Sequence, residues 1–505
     1  MIDGFRINQR LSYDGALCTV RYIGKVGETK GEWLGVEWDD VLRGKHSGQH
    51  EGKKYFDCKI PNSATFIRPT RKPDASLSFI EALRRKYTTE SDAPGIHYEI
   101  SLSASKVVEE VGFEKIIQKL SQLAELKIIL LDGLRIDRVD SVDLIRATCP
   151  NIEELDISRN RFERLDDIAL VCSALPKLRS LRISGNRFNS LSVSNPAAFA
   201  HITSLEIANL LLNWEELSTL LSLFPSLTTL IAPHNNLSSI PPQHPFPSSL
   251  TQLDLSYNLF PMLSTLSPLS SLPHLKTLIV SHNLLTSLSS PVPFPHLTRL
   301  DVAYNLIPTF QSLDILLSST PSLSSLRIGH NPLLSSVTHD EAHMLTIARL
   351  PPSIKILNHS TITPKERENA EIWYLSRIAR EVAGAGDSRR AEVLAGHRRW
   401  EELCALHGEP TVTEGKEEEK LLRNRLVKMV FVGAEGMEVA RKVPRDMPVS
   451  TLRGCVGRWF GADPLGVRMV WVGEEEEVQL GGAEDTREVG IWVEGRKARI
   501  RVECA

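Results

Sequence analysis

Between two glycines the sequence places a cation and an imidazole, in the run Gly44-Lys45-His46-Ser47-Gly48. Lys45 offers a charge to carboxylates and His46 offers a hydrogen-bond donor. Gly44 and Gly48 carry no Cβ, so backbone N–H groups there can approach a ligand closely. Trp33, Trp38, Tyr55, Phe56 and Phe66 surround this run in sequence, with Arg68 just beyond. Such rings can line an apolar groove, and the set suits an acidic peptide that ends in an aromatic residue, since backbone capture of a terminal carboxylate is a known recognition mode. The candidate peptide-binding residues are therefore Trp33, Trp38, Gly44, Lys45, His46, Gly48, Tyr55, Phe56, Phe66 and Arg68. Trp38 and Phe66 fit a hydrophobic core as readily as a groove.

Catalytic patterns are thin. The chain has no GxxxxGK[ST] phosphate loop, no GxGxxG, no HExxH and no GxSxG. Seven cysteines are scattered without CxxC spacing, which fits reduced thiols rather than a zinc site. His234, His282 and His330 share one position of a repeat, but strands lie about 4.8 Å apart, so histidines two repeats apart cannot share one ion. A rim ladder of polar aromatics, completed by Tyr257 and Tyr304, is expected instead. No enzyme, cofactor or metal is inferred. A net charge of −3 over 505 residues argues against a general nucleic-acid surface. No secretory signal and no apolar run long enough to span a membrane is visible, so a cytoplasmic protein is expected.

The elements that must position these residues fall into three groups. Short β-type runs at Cys18–Ile23, Trp33–Trp38, Tyr55-Phe56 and Phe66-Ile67, separated by glycine turns, predict a small β-barrel. From about Leu126 the pattern LxxLxLxxN recurs, ending at Asn160, Asn186, Asn235, Asn258, Asn283, Asn305 and Asn331, with Leu210 standing where one Asn should be. This is a leucine-rich-repeat solenoid, in which each repeat gives a short parallel strand and buries its leucines only against its neighbours. The repeated Asn should bond backbone groups of adjoining loops, and an irregular loop is expected at Leu210. Between the inward leucines one residue per repeat should face the concave side: Asp156, Arg182, Glu206, Ile231, Asp254, Ile279, Asp301 and Arg327. Two isoleucines among acids there point to a protein client. From Leu426 the order strand, turn, strand, helix, strand, strand looks like an α+β ubiquitin-like fold; without a terminal Gly-Gly it should be a docking module rather than a conjugated tag.

The N-terminal strings carry a specific resemblance. WLGVEW, the GKHSG loop, Tyr55-Phe56 and Ser63-Ala64-Thr65-Phe66-Ile67-Arg68-Pro69 resemble a CAP-Gly domain. Members of that family read GKNDG at the loop. Here His46 replaces the Asn, as in the family's E-type tubulin cofactors, and Ser47 replaces the Asp and removes a negative charge. With the modules in this order, nearly the whole chain resembles the tubulin-folding cofactor E family. That resemblance implies binding of α-tubulin, action with tubulin cofactors B, C and D in assembling and taking apart the α/β heterodimer, and a cytoplasmic, cytoskeleton-associated location. The expected domains are 1–72 CAP-Gly, 73–106 a helical linker, 107–380 the repeat array with its caps (the N-terminal one over Val107–Leu120), 381–420 a helical and acidic linker, and 421–505 ubiquitin-like. No nucleic acid or membrane partner is implied, and the proteasome stays open as a partner of the last module. A microtubule-lattice adaptor and a ubiquitin-pathway adaptor are the alternative readings.

Overall fold

The computed structural model describes residues 4–87, 122–243, 246–385, 389–410, 426–472, 477–480, 487–489 and 497–504. By internal contacts the chain divides into two units, Met1–Pro410 and Thr411–Ala505.

The N-terminal module is built on an antiparallel sheet of strands Arg10–Tyr13, Ala16–Gly24, Trp33–Trp38 and Ala64–Ile67, in that order. Alternation puts Cys18, Val20, Leu34 and Val36 into a core with Leu11, Tyr13 and Trp38. The described strands form an open sheet, not the closed barrel expected from the sequence. On the first edge strand the Arg10 N–H donates to Glu163 Oε1 of the array at 2.8 Å, and the Ser12 carbonyl accepts the N–H of Asp74, from the segment that follows the module, at 2.7 Å. An uncovered edge would invite pairing with another chain.

Among the described residues the array forms an eleven-stranded sheet, parallel from Ile128–Leu130 to Ile356–Leu357 and closed by an antiparallel step to Ser360–Thr361. Registers run without a slip; Leu155, Leu181, Leu205, Leu230, Leu253, Leu278, Leu300 and Leu326 fall in one buried row. The asparagines form a ladder of buried amides. Asn160 Nδ2 donates to the carbonyls of Leu131, Ile157 and Ser158 at 2.9–3.0 Å, while its Oδ1 accepts the Ile136 N–H. Asn258 Oδ1 in turn accepts the N–H groups of Asn235 and Leu237.

In both segments expected as linkers, the described residues pack on the array. The helix Phe79–Tyr87 buries Phe79, Ile80, Ala82 and Leu83 in the array core, and the strand before it, Leu77–Ser78, pairs with Ile136–Arg138. It caps the array because its apolar positions share one face, which packs into that core. The cap expected over Val107–Leu120 lies outside the described residues. At the other end, described residues of the segment expected as a linker from 381 pack on the array as far as the helix that ends at His407. Leu403 on the helix Trp400–His407 is fully buried in the array core, and Arg399 donates to the carbonyls of Ala348 and Leu350 and to Glu371.

The C-terminal unit has the sheet order Glu438–Pro444, Leu426–Val432, Lys497–Cys504, Val467–Val472, Glu477–Gln479, with Leu426–Val432 and Lys497–Cys504 parallel. The helix Val449–Phe460 buries Leu452 and Val456 on this sheet. The short strand Glu477–Gln479 is an addition to the sequence reading.

A buried charge knot fastens the N-terminal module to the array. Arg10 grips Asp39 with two bonds, 2.7 and 2.6 Å, and Arg187 of the array approaches Asp39 at 4.0 Å. Burial opposes the charge on Asp39, but Arg10, then Arg187 and Arg21, outweigh it and hold its carboxyl below the usual range. Breaking one partner of such a pair costs about 3–5 kcal/mol. The Asp39→Asn variant should therefore unfold at lower denaturant concentration at pH 7. A depressed carboxyl contributes stability that is present above the unfolded value of about 3.9 and lost as pH falls through the folded one. The gap between wild type and variant should accordingly close in acid, which urea melts across a pH series would show.

Candidate functional site

Phe66 is the hub of the N-terminal module's ring cluster. Tyr55 lies at 5.6 Å, Phe56 at 5.8 Å and Tyr22 at 6.4 Å between ring centroids, all edge-on, with His46 at 4.9 Å and His50 at 6.2 Å. Edge-to-face packing at these separations suits aromatic quadrupoles. Phe66 reaches this place because its strand pairs with Trp33–Trp38, setting Phe66 opposite Gly35. Phe66, Tyr22 and Tyr55 are half-buried, whereas Phe56 is 8% exposed and forms the floor.

The GKHSG loop borders the hub, but its glycines do not offer backbone donors as expected. The N–H groups of Gly44, Lys45 and Gly48 are already bonded, to the Val41 carbonyl, the Ala64 carbonyl and His46 Nδ1 at 2.9, 2.8 and 3.1 Å. Glycine is required here by close approach. A Cβ on Gly44 would sit 1.8 Å from the Asn62 carbonyl oxygen, and one on Gly48 2.1 Å from that of Phe56. Gly48 also has φ +86°, a left-handed conformation that costs side chains dearly. Ser47 ties the loop down by accepting the Asn62 N–H at 2.9 Å.

Two side-chain donors remain. Lys45 is exposed. The His46 pKa is lowered, by burial first and then by the charges of His50 and Lys45, so the ring is neutral at pH 7. Its Nδ1 accepts from Gly48, which leaves the proton on Nε2 as a donor. Lys53 adds a cation 5.3 Å over the Tyr55 ring. The site thus combines an apolar ring floor with a cationic, donor-bearing rim.

Three expected residues have other duties. Trp38 is 3% exposed and packs edge-on against Tyr13 at 6.2 Å, so it is core and not groove; strand alternation turns it inward with Leu34 and Val36. Arg68 stacks 3.6 Å over Trp33 and donates to the carbonyls of Lys30 and Glu32, which makes it a clamp on the neighbouring loop. Trp33 is fixed by that cation and by its Nε1–H to Thr29. Tyr22, His50 and Lys53 were missed in the sequence. The register between the strands slips between Val20 and Tyr22, and such a bulge re-aims a side chain without leaving a sequence mark.

On the concave face, Asp156, Arg182, Glu206, Ile231, Asp254, Ile279, Asp301 and Arg327 do form one row, each opposite the next. Much of its charge is spent internally. Asp156, Asp254 and Asp301 accept the N–H of the residue two further on, at 2.8–3.0 Å, and so shape the turn after each strand. Arg182 pairs with Glu206 at 3.4 Å and Arg327 with Asp301 at 2.9 Å. Ile231 and Ile279 are half-buried rather than exposed. The five rim rings His234, Tyr257, His282, Tyr304 and His330 stack face to face, 4.1–4.4 Å apart. No metal-binding cluster occurs among the described residues.

Residues 7–72 match the family model of the CAP-Gly domain. Fold and site together define a class, a CAP-Gly module carried on a leucine-rich-repeat array. Relatives make it particular. The chain is 33% identical over 473 residues to tubulin-specific chaperone E of Xenopus laevis, with 89% of each chain covered. It is 31% identical to that of Danio rerio, with 90% of each covered, and 28% identical over 74% of each to Protein PAC2 of Saccharomyces cerevisiae. The chain belongs to the tubulin-specific chaperone E family.

Core and groove should separate under mutation. Trp38→Ala should cost about 3–5 kcal/mol of stability, as large-to-small changes of buried rings do. Lys45→Ala should leave stability unchanged, weaken calorimetric binding of a peptide ending Glu-Glu-Tyr, and flatten its dependence on salt, since an exposed charge contact is screened.

Proposed function

We propose that the protein is a tubulin chaperone that holds α-tubulin by its acidic, aromatic-ended tail in the Phe66 groove. Family membership supports the chaperone reading, and the observation that carries the tail site is the half-exposed ring hub edged by Lys45 and the Nε2–H of His46. The apolar floor takes the terminal ring, and the two donors take carboxylates. The chain acts by binding, and assembly or disassembly of the α/β heterodimer is shared with tubulin cofactors B, C and D in the cytoplasm. We divide the chain functionally into a tail-binding module over 1–72, an array running with its caps from Leu77 to His407, and a ubiquitin-like docking module over 421–505, for which the proteasome is a candidate partner.

One tail contact alone is weak, whereas two contacts on one client reinforce each other through effective concentration. The array supplies the second. A dimeric lattice adaptor would instead gain from the many tails of a polymer.

Mixing the protein with soluble heterodimer and with stabilised microtubules separates the two readings. Loss of intact dimer on native gels at stoichiometric protein, with little co-sedimentation, is the expected outcome. Strong co-sedimentation while soluble dimer stays intact would favour the adaptor.

A further inference from the structure

The residue that follows each ladder position traces one edge of the array: Arg161, Arg187, Leu211, Asn236, Leu259, Leu284, Leu306 and Pro332 in turn. The first part of this row is covered by the N-terminal module. Arg161 donates to the Arg10 carbonyl at 3.0 Å, Arg187 faces Asp39, and the Leu211 carbonyl accepts from Lys59 at 3.1 Å. Arg161 and Arg187 are buried as a result, at 8% and 7% exposed. Beyond Leu211 the cover ends. Leu259, Leu284 and Leu306 are 44–47% exposed in the loops that follow three adjacent strands, one leucine per repeat. Beside them run the stacked rings, with Tyr257 and Tyr304 also exposed. Single exposed leucines are ordinary. Three in register along a ring stack form a continuous apolar stripe, and such stripes mark interaction surfaces.

The peptide loop stands at the head of this stripe. Ser47 is bonded to Asn62, and Lys59 in the same loop as Asn62 is bonded to the array at Leu211. A client held at the GKHSG loop is therefore delivered to the uncovered end of the row.

We propose that the stripe of Leu259, Leu284 and Leu306 with Tyr257 and Tyr304 is the array's contact for the folded body of the tubulin subunit whose tail lies in the Phe66 groove. The occupant follows from continuity: one module covers the head of the row and presents the client's tail there, and past Asn236 the row is left apolar and open. The concave row is the poorer candidate, since its aspartates and arginines are tied to their own neighbours. This proposal rests on the tail reading for its geometry, and its test keeps the two apart.

The full chain and a Leu259→Gln/Leu284→Gln/Leu306→Gln variant would be compared for thermal unfolding, for calorimetric binding of a peptide ending Glu-Glu-Tyr, and for capture of soluble heterodimer, intact or with its tails removed by protease. The variant should unfold with the wild type, bind the peptide equally, and capture intact heterodimer about tenfold more weakly, the loss expected when anchoring apolar contacts go. Tailless heterodimer should bind the wild type weakly and the variant more weakly still. If the peptide fails to bind the wild type, the tail reading falls, while tailless capture still decides the stripe. Wild-type capture by the variant would overturn the proposal. So would a lowered unfolding temperature, which would mean the leucines are packed under another part of the chain, or a wild-type dimer that the variant dissolves, which would make the stripe a contact between copies.

Discussion

Everything in the first unit hangs on the satisfaction of buried amides. A solenoid strand of three residues has too few ladder bonds to fix its own turn, so each repeat borrows an asparagine to do so. The side chains of Asn160, Asn186, Asn235, Asn258, Asn283, Asn305 and Asn331 are no more than 7% exposed, and each Nδ2 donates to carbonyls of its own and the preceding repeat. Leaving one such buried group without a partner costs about 1–3 kcal/mol. The ladder also forces the residue before each asparagine into the left-handed region, with φ of 47° at Arg159 and 58° at His330. Side chains held there leave the rim in parallel, and this is why five rings stack.

The one missing rung is among the places where the other module is fastened, beside Arg161, Glu163 and Arg187. Leu210 cannot donate, and the backbone on both sides of it is left-handed, at Asn209 and Leu211. The Ile183 and Ile207 carbonyls that a ladder amide at 210 would reach accept instead from Asn186 and Asn235, while Arg187 bonds the carbonyls of Asn186 and Asn209 and its other face meets Asp39. Lys59 takes the Leu211 carbonyl from the opposite side. The irregular loop is thus not a defect that the fold tolerates. It exposes acceptors to which a second module can bond, and this sets where the peptide loop stands along the array.

The loop is organised by its own two polar residues. Ser47 anchors it through Asn62, and His46 presents Nε2 because Gly48 holds Nδ1. Depression of the His46 pKa follows first from partial burial beside Phe66 and then from the charges of His50 and Lys45. The donor is therefore neutral, and Lys45 alone carries the loop's charge toward an acidic tail.

Periodicity made the repeats, their register and the rim ring ladder legible in the sequence, because leucine and asparagine recur wherever a solenoid must bury and bond the same groups. The strands of the C-terminal unit were legible by alternation, apart from Glu477–Gln479, which is too short to alternate. The peptide loop was legible by its residue types, yet the purpose of its glycines was not, since close approach to Asn62 and Phe56 exists only once those segments meet. Trp38 and Phe66 looked alike in sequence; one faces the core and the other the groove because strand pairing chooses the face of each. Tertiary structure alone decided that the helices Phe79–Tyr87 and Trp400–His407 are caps rather than linkers. An amphipathic helix records that one face must be covered, and only the folded chain supplies what covers it.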